Sequence, residues 1–174
     1  MGETVYLLLG SDTGDREAYL VKAVRDIAHY PDTTLRQYSS LYETEPVGMK
    51  QPGGSNFFNL CCAVETTLDP FRMLGRIQET ERSLGRYRAP VSGDKRRYRS
   101  RTIDIDILLY GGRIIFTNEL VIPHPLLHER RFVLTPLAEI AAAVIHPLFR
   151  LTVRELNDRN GDGHFVKLLK TIAV

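Results

Sequence analysis

Arg101-Thr-Ile-Asp-Ile-Asp-Ile-Leu-Leu-Tyr-Gly-Gly112 alternates strictly through its middle, with Ile103, Ile105, Ile107 and Leu109 on one parity and Asp104 and Asp106 on the other. That is the period of a half-buried β-strand, and it sends both carboxylates out of one face. Residues two apart on a strand lie about 6.5 to 7 Å apart, so the pair can converge on one hard cation or bridge two. The competing reading is a solvated strand face whose aspartates are neutralised by neighbouring arginines. Like charges side by side on a strand repel and Asp is a poor strand former, so solubility alone is a weak reason for the pattern.

Working outward, the stretch is entered through a basic block: Arg82, Arg86, Arg88, Lys95, Arg96, Arg97, Arg99 and Arg101 fall within twenty residues of a chain whose net charge is only +2. Such a block attracts phosphate, and a polyphosphate site needs cations and metal-holding carboxylates together. The plain reading of the same run is a solvated face. The helix before the block opens on Asp69-Pro70 and closes at Gly85. Its apolar stripe runs Leu74, Ile77, Glu81, Leu84, so Glu81 occupies a core-facing slot with Gln78 alongside. A carboxylate there is either paired with an adjacent arginine or faces a polar cleft.

Towards the N-terminus, Val5 to Leu9 is a short apolar run closed by Gly10, Ser11 and Asp12, which predicts a central strand leaving through a turn. Leu20, Ala23, Val24, Ile27 and Ala28 recur at helical spacing behind Asp15 as N-cap, and Pro31 stops that helix. Residues 35 to 44 predict one further strand. Glu45 to Ser55, with two prolines and three glycines, is a long loop that either covers a site or is a surface excursion. Residues 56 to 67 predict the next strand, with Phe57, Asn59, Cys61 and Ala63 on one face and Phe58, Leu60, Cys62 and Val64 on the other. Asn59 and Phe57 either read and stack on a flat heterocycle or belong to backbone satisfaction and core.

Beyond the aspartate strand the sequence predicts a short hairpin-like return at 113 to 116, a segment at 121 to 125 fixed by two prolines around His124, a helix at 131 to 140 carrying Pro136, and a short helix at 153 to 159. Asp158 to Gly163 copies the first half of a calcium loop, but its twelfth position is Leu169 rather than a bidentate Glu, so an Asx and Gly turn is expected. With 174 residues and 43% hydrophobic composition, residues 1 to 174 are expected to form a single domain. Adjacent Cys61 and Cys62 point to opposite faces of a strand and suggest neither disulfide nor metal spacing, which favours a reducing cytoplasm. No membrane span or leader is expected. The order predicts an α+β fold, a ferredoxin-like βαββαβ core with a mainly antiparallel sheet, extended to an α/β/α sandwich by the C-terminal helices. The P-loop and dinucleotide fingerprints are absent.

The chain resembles the 6-hydroxymethyl-7,8-dihydropterin pyrophosphokinases of folate biosynthesis. The resemblance rests on Gly10-Ser11, Ser39 to Gly48, Phe57-Phe58-Asn59, Leu84-Gly85-Arg86, Arg101 to Gly111, and Pro123-His124-Pro125 followed by Glu129 to Phe132. It implies transfer of pyrophosphate from ATP to the pterin hydroxymethyl group with release of AMP. By the same resemblance Asp104 and Asp106 hold two magnesium ions, and Arg101 and Arg88 stabilise the transferring group. The pterin lies between Phe57 and Phe132, read by Asn59, Thr44 and the backbone near Val47. Gln78, Glu81, Arg88, Tyr98, Arg101, Ile107, His124 and Arg130 match positions on the ATP side. Tyr98 stands where a Trp is common, and the 49 to 55 and 88 to 100 loops are longer than in the bacterial pattern, so Arg96, Arg97 or Arg99 compete with Arg88. ATP and the pterin are the implied partners, with other folate-pathway enzymes left open. An RNA-binding module is the main rival, but it lacks the aromatic strand motif and would set two aspartates against a phosphate backbone. A metal-dependent nuclease or phosphatase leaves the ring-reading set unexplained.

Overall fold

A computed structural model of the chain describes residues 2–47, 55–86 and 101–174. Its centre is β1, Glu3–Ser11, which pairs antiparallel with β4, Phe57–Thr66, in the register Val5↔Val64, Leu7↔Cys62, Leu9↔Leu60. The apolar run Val5 to Leu9 is continuous because both faces of this strand are covered. On its other side lies β5, Asp104–Tyr110, with Leu9 opposite Ile105 and Gly10 opposite Asp104. β2, Thr33–Tyr38, and β3, Leu41–Thr44, both pair with β4.

One face carries α1, Arg16–Ala28, and α2, Pro70–Ser83. The two start as the sequence predicts. Asp15 accepts from the Ala18 N–H, and Asp69 accepts from those of Phe71 and Arg72 ahead of Pro70. Leu20, Val24, Ile27, Met73 and Ile77 pack onto Leu7, Leu9, Leu60, Cys62, Ile105 and Ile107, each fully buried aliphatic side chain contributing about 1.5–3 kcal/mol. The opposite face is covered by α3, Arg131–Ala141, and α4, Val153–Asp158, over Leu8, Cys61, Leu108 and Leu109. This is the expected α+β sandwich with the ferredoxin-like strand order. Among the described residues no helix is long and apolar enough to cross a membrane.

Two local expectations are corrected and one strand is added. The strand expected over 35 to 44 is two strands, broken at Ser39 and Ser40. There Ser39 donates its N–H to Cys61 O (2.8 Å) while its hydroxyl accepts from Cys61 N–H (2.9 Å). Ser40 N–H, Ser40 Oγ and Tyr42 OH all turn to the Glu139 carboxylate on α3. Leu109 does not share the parity of Ile107: Leu7 faces Ile107 and Tyr6 faces Leu109, so Leu108 is an inserted bulge residue and both leucines meet the α3 layer. The C-terminal segment Val166–Lys170 forms a strand that the sequence reading did not foresee. It pairs with β3 at the sheet edge; we call it β8, after the two-residue pair β6, Ile115–Phe116, and β7, Val121–Ile122. Its apolar residues are largely exposed, so no amphipathic signal announces it.

Between α3 and α4, His146 is 1% exposed and its Nδ1 accepts from the Leu148 and Phe149 N–H groups. Burial, then the neighbouring His128, lowers its pKa from 6.5 to about 4. The unfolded chain therefore takes up this proton first as pH falls, so His146 makes stability decline between about 6.5 and 4. Asn keeps an acceptor at the Nδ1 position but does not titrate. His146→Asn is expected to flatten the slope of chemical-denaturation stability against pH in that window relative to wild type; parallel slopes refute the assignment.

Candidate active site

The open ends of four strands place the site. Register sets Asp104 beside Gly10, Gly10 beside Asn59, and Asn59 beside Tyr42, one row across the sheet on the α3 side. A cavity of about 270 Å³ lies over this row. β1 and β5 contribute Leu8, Gly10, Asp104 and Asp106 to its lining, β3, β4 and the residues after β3 contribute Thr44, Glu45, Val47, Phe57 and Asn59, and the segment leading into β5 and the start of α3 contribute Arg101, Arg130 and Phe132. Asn59 is 2% exposed and its Nδ2 donates to Thr44 Oγ1 at 2.7 Å. Its Oδ1 lies where a side chain on Gly10 would come within 2.8 Å. Glycine at position 10 thus lets a buried amide lie flat against the neighbouring strand.

At the carboxylate end, β5 is the outer strand of the sheet, and its free backbone edge is occupied. Ile105 N–H donates to Glu81 Oε1 (2.9 Å), and His124 N–H donates to Leu108 O (2.9 Å). Glu81 is 1% exposed, which resolves its odd place on α2: Arg86 Nη1 bridges Glu81 Oε1 and Asp104 Oδ1, while Arg101 pairs with Asp104 Oδ2. Of the two readings of Glu81, the paired one holds. The Arg101 backbone is held as well. Its N–H donates to the Asp12 carboxylate and its carbonyl accepts from Asp12 N–H at 3.2 Å.

Burial first, then the charges of Asp104 and Glu81, raise the Asp106 pKa from 3.8 to about 6, against the opposing pull of Arg86 and Arg101. His124 goes the other way, to about 4, through burial and the positive Arg130, with Asp104 opposing. Its Nδ1 accepts from Leu126 N–H at 3.2 Å, so the neutral ring carries its proton on Nε2. Arg130 lies over the Phe132 ring at 5.7 Å.

Nine expected site residues thus line one cavity: Thr44, Val47, Phe57, Asn59, Arg101, Asp104, Asp106, Arg130 and Phe132. Glu81 and His124 stand behind it on the β5 edge. Gln78 lies one turn before Glu81 on α2, and the Ile107 side chain packs into the α1 and α2 layer, so neither lines the cavity. Arg88 and Tyr98 lie outside the described residues, as do the competing Arg96, Arg97 and Arg99. Sequence reading assigned no individual place to Arg86, Asp12 or Gly10. The signal for Arg86 was the buried slot of Glu81, which demanded a cation, and an arginine waits just past the helix end. A larger cavity of about 450 Å³ lies by His128, Phe149 and Arg159 and contains none of the expected residues.

Residues 6–142 match the family model described as 7,8-dihydro-6-hydroxymethylpterin-pyrophosphokinase. The 2-amino-4-hydroxy-6-hydroxymethyldihydropteridine pyrophosphokinase of Bacillus subtilis is 42% identical over 144 residues, covering 83% of this chain and 81% of that one. The protein of the same name from Aquifex aeolicus is 36% identical over 167 residues, covering 96% and 98%. In fold, the chain superposes on the HPPK-DHPS structure of Plasmodium falciparum with a TM-score of 0.72 at 17% identity, covering 91% of this chain and 45% of that one. The chain therefore belongs to the 7,8-dihydro-6-hydroxymethylpterin-pyrophosphokinase family, the pyrophosphokinases of folate biosynthesis.

Proposed function

We propose that this family member transfers pyrophosphate from ATP to the hydroxymethyl oxygen of 6-hydroxymethyl-7,8-dihydropterin at the 270 Å³ cavity, with Asp104 and Asp106 as magnesium ligands. The observation that carries the reading is the junction, in one cavity, of a ring-reading side with a carboxylate pair flanked by arginine. A nuclease or phosphatase has no use for the first half.

The carboxylates suit a hard divalent cation. Asp106 is raised to about pKa 6 by burial first and then by the charges of Asp104 and Glu81, and a bound cation would favour its ionised form against both. Among the described residues no three His, Cys, Asp or Glu side chains cluster as a ligand set. That fits magnesium, which completes its shell with water and phosphate oxygens around one or two protein carboxylates. When bound, two ions would polarise the phosphoryl oxygens and neutralise their charge.

The chain's own residues do the rest. Phe57 and Phe132 enclose the pterin ring and exclude water, while Asn59, held by Thr44, offers a fixed amide to its edge, with the backbone near Val47 completing the contact. Arg101 meets the charge that develops on the transferring group. Neutral His124 and Arg130 flank the ATP side, and Glu81 acts through the Ile105 N–H and Arg86. The hydroxymethyl oxygen bonds to the β-phosphorus, the bond from that phosphorus to the α,β-bridging oxygen breaks, AMP leaves, and the hydroxyl proton passes to solvent. A cytoplasmic setting is supported by two free, buried cysteines, and association with other folate enzymes by relatives in which this unit is part of a bifunctional protein.

The test incubates protein, Mg-ATP and the hydroxymethyl dihydropterin and measures AMP, which is expected only when all three are present. Chelation is expected to abolish AMP formation and added magnesium to restore it. ADP or phosphate released without pterin, and no AMP, overturns the reading.

A further inference from the structure

The turn from Asn160 to His164 overlaps the half calcium loop at Asp158 to Gly163, and the reaction does not use it. Its own bonds show what it holds. α3 begins at Arg131 behind Arg130, whose side chain makes no capping bond. The first amides of a helix need acceptors from elsewhere. Arg131 N–H finds one 31 residues along the chain, in Asp162 Oδ2 at 2.9 Å. A carboxylate at that position also opposes the positive end of the helix dipole.

Asp162 is itself fixed. Its N–H donates to Asn160 Oδ1 (3.0 Å), its Oδ1 accepts from His164 N–H (3.0 Å) and from the His164 ring, and its side chain is 10% exposed. Burial pushes its pKa up, but the Arg131 N–H and the His164 contacts outweigh it and hold the group below the ordinary carboxylate range. Asn160 Nδ2 also donates to His128 O at 3.1 Å. The turn thus grips the chain on both sides of Arg130.

The next residue reaches the other side of the cavity. Phe165 N–H donates to Glu45 Oε1 at 2.9 Å, and Val166 is registered against Thr44 on β3. One short segment therefore joins the side carrying Arg130 and Phe132 to the side carrying Thr44 and Glu45. The two sides otherwise belong to elements far apart in sequence.

We propose that residues 160–165 form a strap, with Asp162 as its positioning residue, which fixes the Phe132 side of the cavity against the Thr44 side and so sets affinity for the pterin. The proposal rests on the reading of the cavity as the pterin site. The strap acts through Phe132 and Arg130 and touches no reacting atom.

The test titrates fluorescent 6-hydroxymethylpterin into the full chain with magnesium and a non-hydrolysable ATP analogue, alongside steady-state kinetics. Asp162→Ala is expected to weaken pterin binding and raise the pterin KM about tenfold, with kcat within about twofold and a smaller rise in the ATP KM through Arg130. Asp162→Asn keeps one acceptor oxygen and sets an NH2 donor in place of the other, so it can still accept from the Arg131 N–H while losing the His164 contact, and is expected to recover part of the affinity. Asp69→Ala removes the cap of α2 at a distance from the cavity. It is expected to lower the melting temperature without moving the pterin KM, which separates positioning from stability. If Asp162→Ala does not fold, Asn160→Ala, which removes the His128 tie and the turn, is expected to weaken pterin binding about threefold. Wild-type affinity in the folded Asp162 or Asn160 variant, or an Asn variant no better than Ala, overturns the strap. A wild-type chain that binds no pterin overturns the cavity reading and the strap with it.

Discussion

Replacing Asp106 with alanine lowers AMP formation by at least about a thousandfold while the protein keeps its fold. Metal-ion stabilisation of a transferring phosphoryl group supplies several kcal/mol, and each 1.36 kcal/mol is tenfold in rate, so losing one of the two proposed ligands is expected to cost about three orders of magnitude or more. The fold survives because Asp106 leaves the cavity face of β5 and belongs to neither core cluster. Turnover within tenfold of wild type, with an unchanged circular dichroism spectrum, would remove Asp106 from the metal site. The companion variant Asp106→Asn has a second readout. The folded-state pKa is about 6 and the ordinary value 3.8, so between them the folded state holds more protons than the unfolded one. Stability from this group is present at low pH and is lost as pH rises through 6. At neutral pH without magnesium, the ionised carboxylate therefore destabilises the protein, and Asp106→Asn raises the melting temperature by on the order of 5 °C. A site that costs stability when empty of substrate is the expected signature of a functional carboxylate.

Arg101→Ala reduces kcat about a thousandfold, and Arg101→Lys about a hundredfold, with the pterin KM within about threefold in both. The distinction between the two is the informative part. The Arg101 backbone is clamped by Asp12 through both its N–H and its carbonyl, so either variant keeps the chain path and changes only the head group. Lysine retains the charge but not the planar fork that meets two phosphoryl oxygens at once. A lysine variant with wild-type kcat would reduce Arg101 to a point charge. An alanine variant that raises the pterin KM while sparing kcat would move Arg101 from the transferring group to ground-state binding.

The parts of this site that sequence reading located are those whose cause is local. Asp104 and Asp106 share a face because strand periodicity is two, and Phe57 and Asn59 do so for the same reason. Glu81 stands out because helical periodicity puts a carboxylate in a buried stripe, and in the structure it accepts from Ile105 N–H and pairs with Arg86. Strand pairing overrides a local rule at two places. The bulge at Leu108 moves Leu109 to the other face, and nothing within β5 announces it, since the extra residue exists only relative to Leu7 and Tyr6 of β1. The break at Ser39 and Ser40 likewise depends on Glu139, about a hundred residues away.

By itself, then, the sequence determined the helices, the three central strands, the caps at Asp15 and Asp69, the shared face of the aspartates and the family to which the motifs belong. Each of these is a property of a few consecutive residues or of their period. Tertiary structure alone decided that Gly10 lies between Asp104 and Asn59, that Arg86 joins Glu81 to Asp104, that Asp12 holds Arg101, and that Asp162 caps a helix begun 31 residues earlier. The physical reason is that these are meetings between segments whose relative placement is set by strand order and register, and backbone and side-chain polar groups buried by that placement take whichever partner it brings within reach.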